Sequence, residues 1–305
     1  MKKIIYILFI LVGASSSSAQ QLPQYSNYMI NGYALNPAIG GSNNYFEGKS
    51  NNRYQWVGIT DAPRTYILSA NGPTKSLKMG IGGLLFTDIV GPTRRTGIYL
   101  SYAYHIKITE NIKASLGISG GILQFMVDGS KITLNNPSDN VITGGTQTVL
   151  IPDFGTGIYV YSTDKKWYVG VSAPQIMQNK IKFFNYSNST LSKLSTHLYG
   201  IAAYTFVLNE QFKLEPSTCL KYVDPAPFQF DIGLRAIYKD KFWLGGSFRY
   251  LDAIAAMMGF VIQENIMVAY SYDFTTTNIK KYSTGTHEIM IGIKFHKYGE
   301  KPTNQ

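Results

Sequence analysis

From about Asn44 onward the chain alternates apolar residues with small or polar ones, in segments of roughly ten, the length of a tilted strand that crosses a bilayer. In residues 97–106, Ile98, Leu100, Tyr102, Tyr104 and Ile106 share one face, while Gly97, Tyr99, Ser101, Ala103 and His105 share the other. In 111–122, Ile112, Ala114, Leu116, Ile118 and Ile122 oppose Lys113, Ser115, Gly117, Ser119 and Gly121. Segment 228–238 sets Phe228, Phe230, Ile232, Leu234 and Ala236 against Gln229, Asp231, Gly233 and Arg235. Near the C-terminus Ile289, Ile291, Ile293 and Phe295 oppose Glu288, Met290, Gly292, Lys294 and His296. Successive strand side chains point to opposite faces, so every segment has one apolar face and one mixed face. Ten further segments read alike: 45–56, 64–71, 78–87, 153–161, 166–172, 191–206, 212–222, 241–250, 253–262 and 266–274. The pattern predicts an all-β chain of about fourteen antiparallel strands, an even number as single-chain bacterial barrels require.

The connections sharpen this. Every second one is very short, at 108–111, 162–165, 208–211, 238–241 and 263–265, and those between are mostly longer and more varied. A transmembrane barrel has this asymmetry, with tight periplasmic turns and adaptable external loops. A soluble sandwich has no reason to keep it. Tyr and Phe recur at strand ends (Tyr102, Tyr104, Phe206, Tyr222, Phe228, Tyr250, Tyr272, Phe274, Phe295), where interfacial girdles need amphipathic rings. By the same parity two long connections, 127–152 and 173–190, fall outside, while the chain start and residues 297–305 fall in the periplasm.

The N-terminus supplies the route. Lys2 and Lys3, an apolar run from Ile4 to Val12, and Ser17-Ser18-Ala19 form an export signal over residues 1–19. The run is too short to span a bilayer as a helix, and the lack of a Cys after Ala19 argues against a lipoprotein anchor. Expected organisation is therefore signal peptide 1–19, a periplasmic or plug segment 20–43, an outer-membrane barrel 44–298 and a periplasmic tail 299–305.

Charge and chemistry add little. Losing the two signal lysines takes the formal charge from +10 to +8, but Lys and Arg are scattered over turns, loops and single inward positions. Nucleic-acid binders cluster them, so no nucleic acid is expected as a partner. Cys219 stands alone and implies neither a disulfide nor a metal site; no cofactor is expected. Acid–base or nucleophilic catalysis would need one of His105, His197, His287 and His296 in a nucleophile motif, and none lies in one. An enzyme is not expected. Inward charges (Lys113, Lys213, Glu215, Lys221, Asp231, Arg235, Arg249, Asp273, Glu288) have mixed signs, which suits a stiffening salt-bridge network more than a selective pore. Inward glycines leave room for loops or an N-terminal plug. Segment 21–42 is aromatic and amide-rich with neither helix nor strand period, and Tyr25, Tyr28 and Tyr33 call for burial in the barrel mouth or lumen.

Clustered motifs run in order through the first third: PQYSNYM before Asn36-Pro37-Ala38 with Gly40; Gln55-Trp56 with Gly58; Ala62-Pro63-Arg64-Thr65; and Gly91-Pro92-Thr93 before a Tyr-rich strand. In these the chain resembles the PorP/SprF family of outer-membrane proteins. The resemblance implies a barrel of the type IX secretion and gliding machinery in a Gram-negative outer membrane. It further implies binding of a large, adhesin-like secreted protein through its C-terminal domain, and periplasmic contact with ring or motor lipoproteins. No catalytic residues come with it. Asn36, Pro37, Ala38, Gln55, Trp56, Gly58, Pro63, Thr65, Gly91 and Pro92 transfer as fold-defining or docking candidates. The competing expectation is a FadL-like or general small-molecule channel with an open lumen or an apolar ligand pocket.

Overall fold

The structure is a computed structural model that describes residues 25–132, 145–181 and 192–298. The expected signal peptide, residues 20–24, the tail 299–305 and the middles of the two long external connections lie outside the described residues. The strands are β1 (Tyr45–Tyr54), β2 (Arg64–Pro73), β3 (Met79–Val90), β4 (Thr93–Lys107), β5 (Ile112–Asp128), β6 (Thr146–Ser162) and β7 (Trp167–Ala173). Then come β8 (Lys180–Ile181), β9 (Ser192–Lys193), β10 (His197–Tyr204), β11 (Phe206–Val207) and β12 (Phe212–Val223). The last are β13 (Gln229–Tyr238), β14 (Phe242–Arg249), β15 (Ala253–Ile262), β16 (Ile266–Thr275) and β17 (Thr286–Lys297).

Fourteen wall strands form a closed antiparallel barrel, with β10 and β11 as two halves of one strand interrupted at Thr205. Each strand pairs with its chain neighbours, and β1 pairs with β17 to close the ring. Closure gives every wall strand a partner on both sides, the condition for strands to cross hydrocarbon. β8 and β9 form a small separate hairpin within the external connection that follows β7.

The wall is inside out by soluble standards. Leu100 is 73% exposed and Ile118 62%, and the same holds for outward positions around the ring. Each such side chain left in water forfeits about 1.5–3 kcal/mol, so the surface belongs in lipid. Aromatic rings band it at two levels. Phe212 meets Tyr238 at 4.9 Å near the periplasmic turns, and Phe230 stacks on Tyr250 at 5.0 Å near the external loops. The barrel belongs to the outer membrane of a Gram-negative cell.

Strand limits differ from the sequence reading in instructive ways. β1 stops at Tyr54, because Trp56 takes a left-handed backbone (φ +50°) and cannot continue the ladder. The expected loop 127–152 is shorter than its sequence suggests: β5 reaches Asp128 and β6 begins at Thr146, and this extended ladder keeps Phe125, Val149 and Ile151 on its inward side. Segment 191–206 is not one strand, since Ser192–Lys193 pairs into the hairpin and the wall resumes at His197. The turn asymmetry is looser too: the external connections 91–92 and 250–252 are as tight as any periplasmic turn.

Candidate functional site

The lumen is filled by residues 25–42. They form three single 3-10 turns, Ser26–Met29, Gly32–Ala34 and Pro37–Ile39, in a stretch whose Asn, Gly and Pro residues sustain neither helix nor ladder. Burial pushes the Tyr33 hydroxyl up to about 12 and raises those of Tyr25 and Tyr28 further, so all three remain neutral.

The first turn meets an ionic receptor. Ser26 N donates to Glu288 Oε2 (2.7 Å), and Asn27 donates through both N (3.2 Å) and Nδ2 (2.9 Å) to Glu288 Oε1. The Ser26 hydroxyl donates to Asp273 Oδ1 (2.8 Å) and accepts from Arg53 Nη1 and Arg249 Nη2, both at 2.9 Å. Arg53 also pairs with Asp273 (2.8 Å) and Glu288 (3.3 Å). Arg249 reaches Asp273 (3.1 Å) past the small inward Ala253 and Ala255 of β15, and pairs with Asp231 and Asp252. Lys221 completes Asp231 (3.0 Å). Three cations thus face four carboxylates in a buried cluster. Such a cluster is a poor source of net stability but punishes the loss of any member. Asp231, Asp273, Glu288, Lys221 and Arg249 were legible from parity, and Asp252, in the turn after β14, was not. Arg53 was missed, although it alternates with Glu47, Lys49 and Asn51 on the same inward face and could have been found that way.

Farther along, the plug is received by an absence of side chains. A Cβ on Gly80 would collide with Gly40 O, on Gly82 with the Tyr33 hydroxyl, on Gly117 with Ala38, on Gly157 with Asn36 and on Gly233 with Met29. Wall hydrogen bonds finish the seat. Lys49 Nζ donates to Ile30 O (2.8 Å), Ser172 Oγ to Leu35 O (2.7 Å), and His105 Nε2 to Gly40 O (2.9 Å) while Tyr161 donates to His105 Nδ1. Asn36 caps the third turn, accepting from Ala38 N (2.9 Å), and donates outward to Ile158 O (3.0 Å) and Val171 O (3.2 Å). Pro37 occupies the first position of that turn, where its missing N–H costs nothing. Asn36→Ala removes a cap and two wall bonds together, and we expect a loss of about 1–3 kcal/mol, read as a lower temperature for the folded-to-unfolded shift in gel mobility.

The other motif residues lie elsewhere, on the external rim. Gln55 N donates to Pro63 O (2.9 Å), and Trp56 N to Thr286 Oγ1 (3.1 Å). Gly58 (φ +104°) lies against the 282–284 backbone, in a conformation that disfavours any larger residue. Thr65 Oγ1 donates to Asp88 Oδ1 (2.7 Å), Gly91 N to Asp61 O (3.0 Å), and Pro92 O accepts from Asp128 N (2.9 Å). Trp56 itself lies in this loop, beyond the end of β1. Asn36, Pro37 and Ala38 therefore sit in the plug, whereas Gln55, Trp56, Gly58, Pro63, Thr65, Gly91 and Pro92 tie rim loops together. The structure does not bring the two groups into one site.

Against this geometry, the family model described as "Type IX secretion system membrane protein PorP/SprF" matches residues 17–293, covering plug, rim and nearly the whole wall. The chain belongs to the PorP/SprF family. A comparison with curated proteins finds no match. Among solved structures this PorP/SprF protein is similar to the CymD monoaromatic hydrocarbon channel, at 12% identity and a TM-score of 0.49, covering 92% of this chain and 95% of that one. It is also similar to Omp33 of Acinetobacter baumannii (9% identity, TM-score 0.44, 83% and 97% covered) and to the KdgM porin (9%, 0.42, 82% and 99%). These likenesses concern the barrel fold alone. As a PorP/SprF member the chain is a membrane component of the type IX secretion system.

Proposed function

We propose that this PorP/SprF barrel is a plugged anchor that binds a large, adhesin-like secreted protein by its C-terminal domain and holds it at the cell surface. Its work is binding, not catalysis or diffusion. The observation that carries this reading is the filled lumen: residues 25–42 are tied to opposite walls by charge-assisted bonds and sit in spaces cleared by wall glycines. A permanently open pore gains nothing from such a seat. The external end, with the connections after β5 and β7, is the side that meets the client, and the periplasmic turns are the side available to ring or motor lipoproteins.

Affinity capture of the full-length barrel from the outer membrane tests the reading. A secreted protein carrying a type IX C-terminal domain is expected to co-purify, and to be recovered several-fold less when the chain between Asp128 and Thr146 is replaced by a short turn. Repeated capture without any such protein would sink the proposal.

A further inference from the structure

Opposite the ionic cluster the lumen has a different character. A cavity of about 100 Å³ lies between the plug and the β2–β6 wall, bordered by Tyr33 and Leu35 of the plug and by Phe86, Tyr99, Asp153 and Tyr199. Pro174 and Gln175 of the external connection after β7 also border it, so it lies toward the external end. Two glycines build it. The Phe86 ring lies over Gly97 and stacks on Tyr99 (6.2 Å between centroids, 10° between planes). Tyr99 then crosses Gly121, the residue between it and Asp153 in cross-strand register, and donates its hydroxyl to Asp153 Oδ2 at 2.7 Å.

Asp153 is the anomaly. It is 1% exposed, it borders an aromatic cavity, and among the described residues it makes no ion pair. Its bonds are one from Tyr99 and one from Phe154 N (2.9 Å), half of what a carboxylate accepts. The nearby inward Arg95 is committed instead to Asp88 and to the face of Phe125. The other buried carboxylates of the lumen, Glu47, Asp88, Glu215, Asp231, Asp273 and Glu288, each have a cation. A buried carboxylate is retained at a cost unless something pairs with it.

We propose that this cavity is a binding site for a single cationic side chain, an arginine or lysine of a partner polypeptide entering from outside. The charge fits Asp153, the rings of Phe86, Tyr99 and Tyr199 offer π faces to a cation, and the volume suits one side chain and excludes a folded element. That the side chain belongs to the secreted client rests on the anchoring proposal; the preference of the cavity for a cation does not.

Three isosteric probes separate charge from shape: benzamidinium, benzamide and benzoate, titrated into the purified full-length barrel by calorimetry or saturation-transfer NMR. Benzamidinium is expected to bind, benzamide about tenfold or more weakly, and benzoate not at all. Asp153→Asn is expected to weaken benzamidinium by about tenfold or more and to leave benzamide unchanged, with heat-modifiable gel mobility verifying that the variant is folded. Equal binding of benzamidinium and benzamide, indifference to Asp153→Asn, or no binding by any of the three would each overturn the site. Undiminished client capture by an Asp153→Asn barrel that no longer binds benzamidinium would detach the site from the client while leaving the anchoring proposal standing.

Discussion

Deleting residues 25–42 turns a silent barrel into a pore. In planar bilayers the full-length protein is expected to show no steady current and the deletion variant a stable open level, because fourteen strands enclose a lumen wide enough for water once the plug is gone. The variant should still fold. The wall charges that hold Ser26 also hold one another: Arg53 keeps Asp273 and Glu288, and Arg249 keeps Asp231, Asp252 and Asp273. Steady conductance from the intact protein would contradict the anchor and favour the channel reading.

The largest loss of stability is expected from Arg249→Met. Three carboxylates lean on this guanidinium, which is 2% exposed, and Ser26 loses a donor in the same substitution. Removing one partner of a buried ionic group costs about 3–5 kcal/mol, because the charges left behind have no access to water. The measurement is the midpoint of unfolding in urea, followed by gel mobility or tryptophan emission. Adding Asp273→Asn should recover part of the loss, since the two residues share one network. Additive losses would show that the network is not a unit. The deletion variant sets a control: if the cluster serves mainly to seat the plug, Arg249→Met should weaken the plugged barrel more than the plug-free one.

Period-two alternation made the wall legible, because lipid imposes one rule on every outward position and a closed sheet imposes pairing on every strand. It failed where that rule stops. At the external end β5 and β6 run on from Gln124 to Asp128 and from Thr146 to Leu150, where Gln124, Asp128, Thr146 and Thr148 take outward positions that lipid would make apolar. Backbone handedness at Trp56 ended β1 in a way that composition does not encode. For the plug, aperiodic sequence and three tyrosines pointed to burial, but its receptor was illegible. Glu288 and Ser26 are 262 residues apart, and only the ring of strands brings them to 2.7 Å. The family motifs were visible as strings, yet their division between plug and rim depends on where the chain turns back. The cavity at Asp153 left no string at all, since it is made by Gly97 and Gly121 on two strands and a carboxylate on a third.

The ring closes where the first strand meets the last, and Arg53 of β1 is in register with Glu288 of β17 at that junction. Both hold Ser26, so the receptor of the plug does not exist until the two chain ends have found each other. The plug is tethered to β1 by only the few residues between Ser42 and Tyr45, so it travels with the strand that shuts the barrel. Seating and closure are therefore coupled, since both draw on Arg53 and Glu288. The free energy of the Ser26 and Asn27 contacts acts as a latch on the seam, and a barrel that misplaces its plug also weakens the junction between β1 and β17.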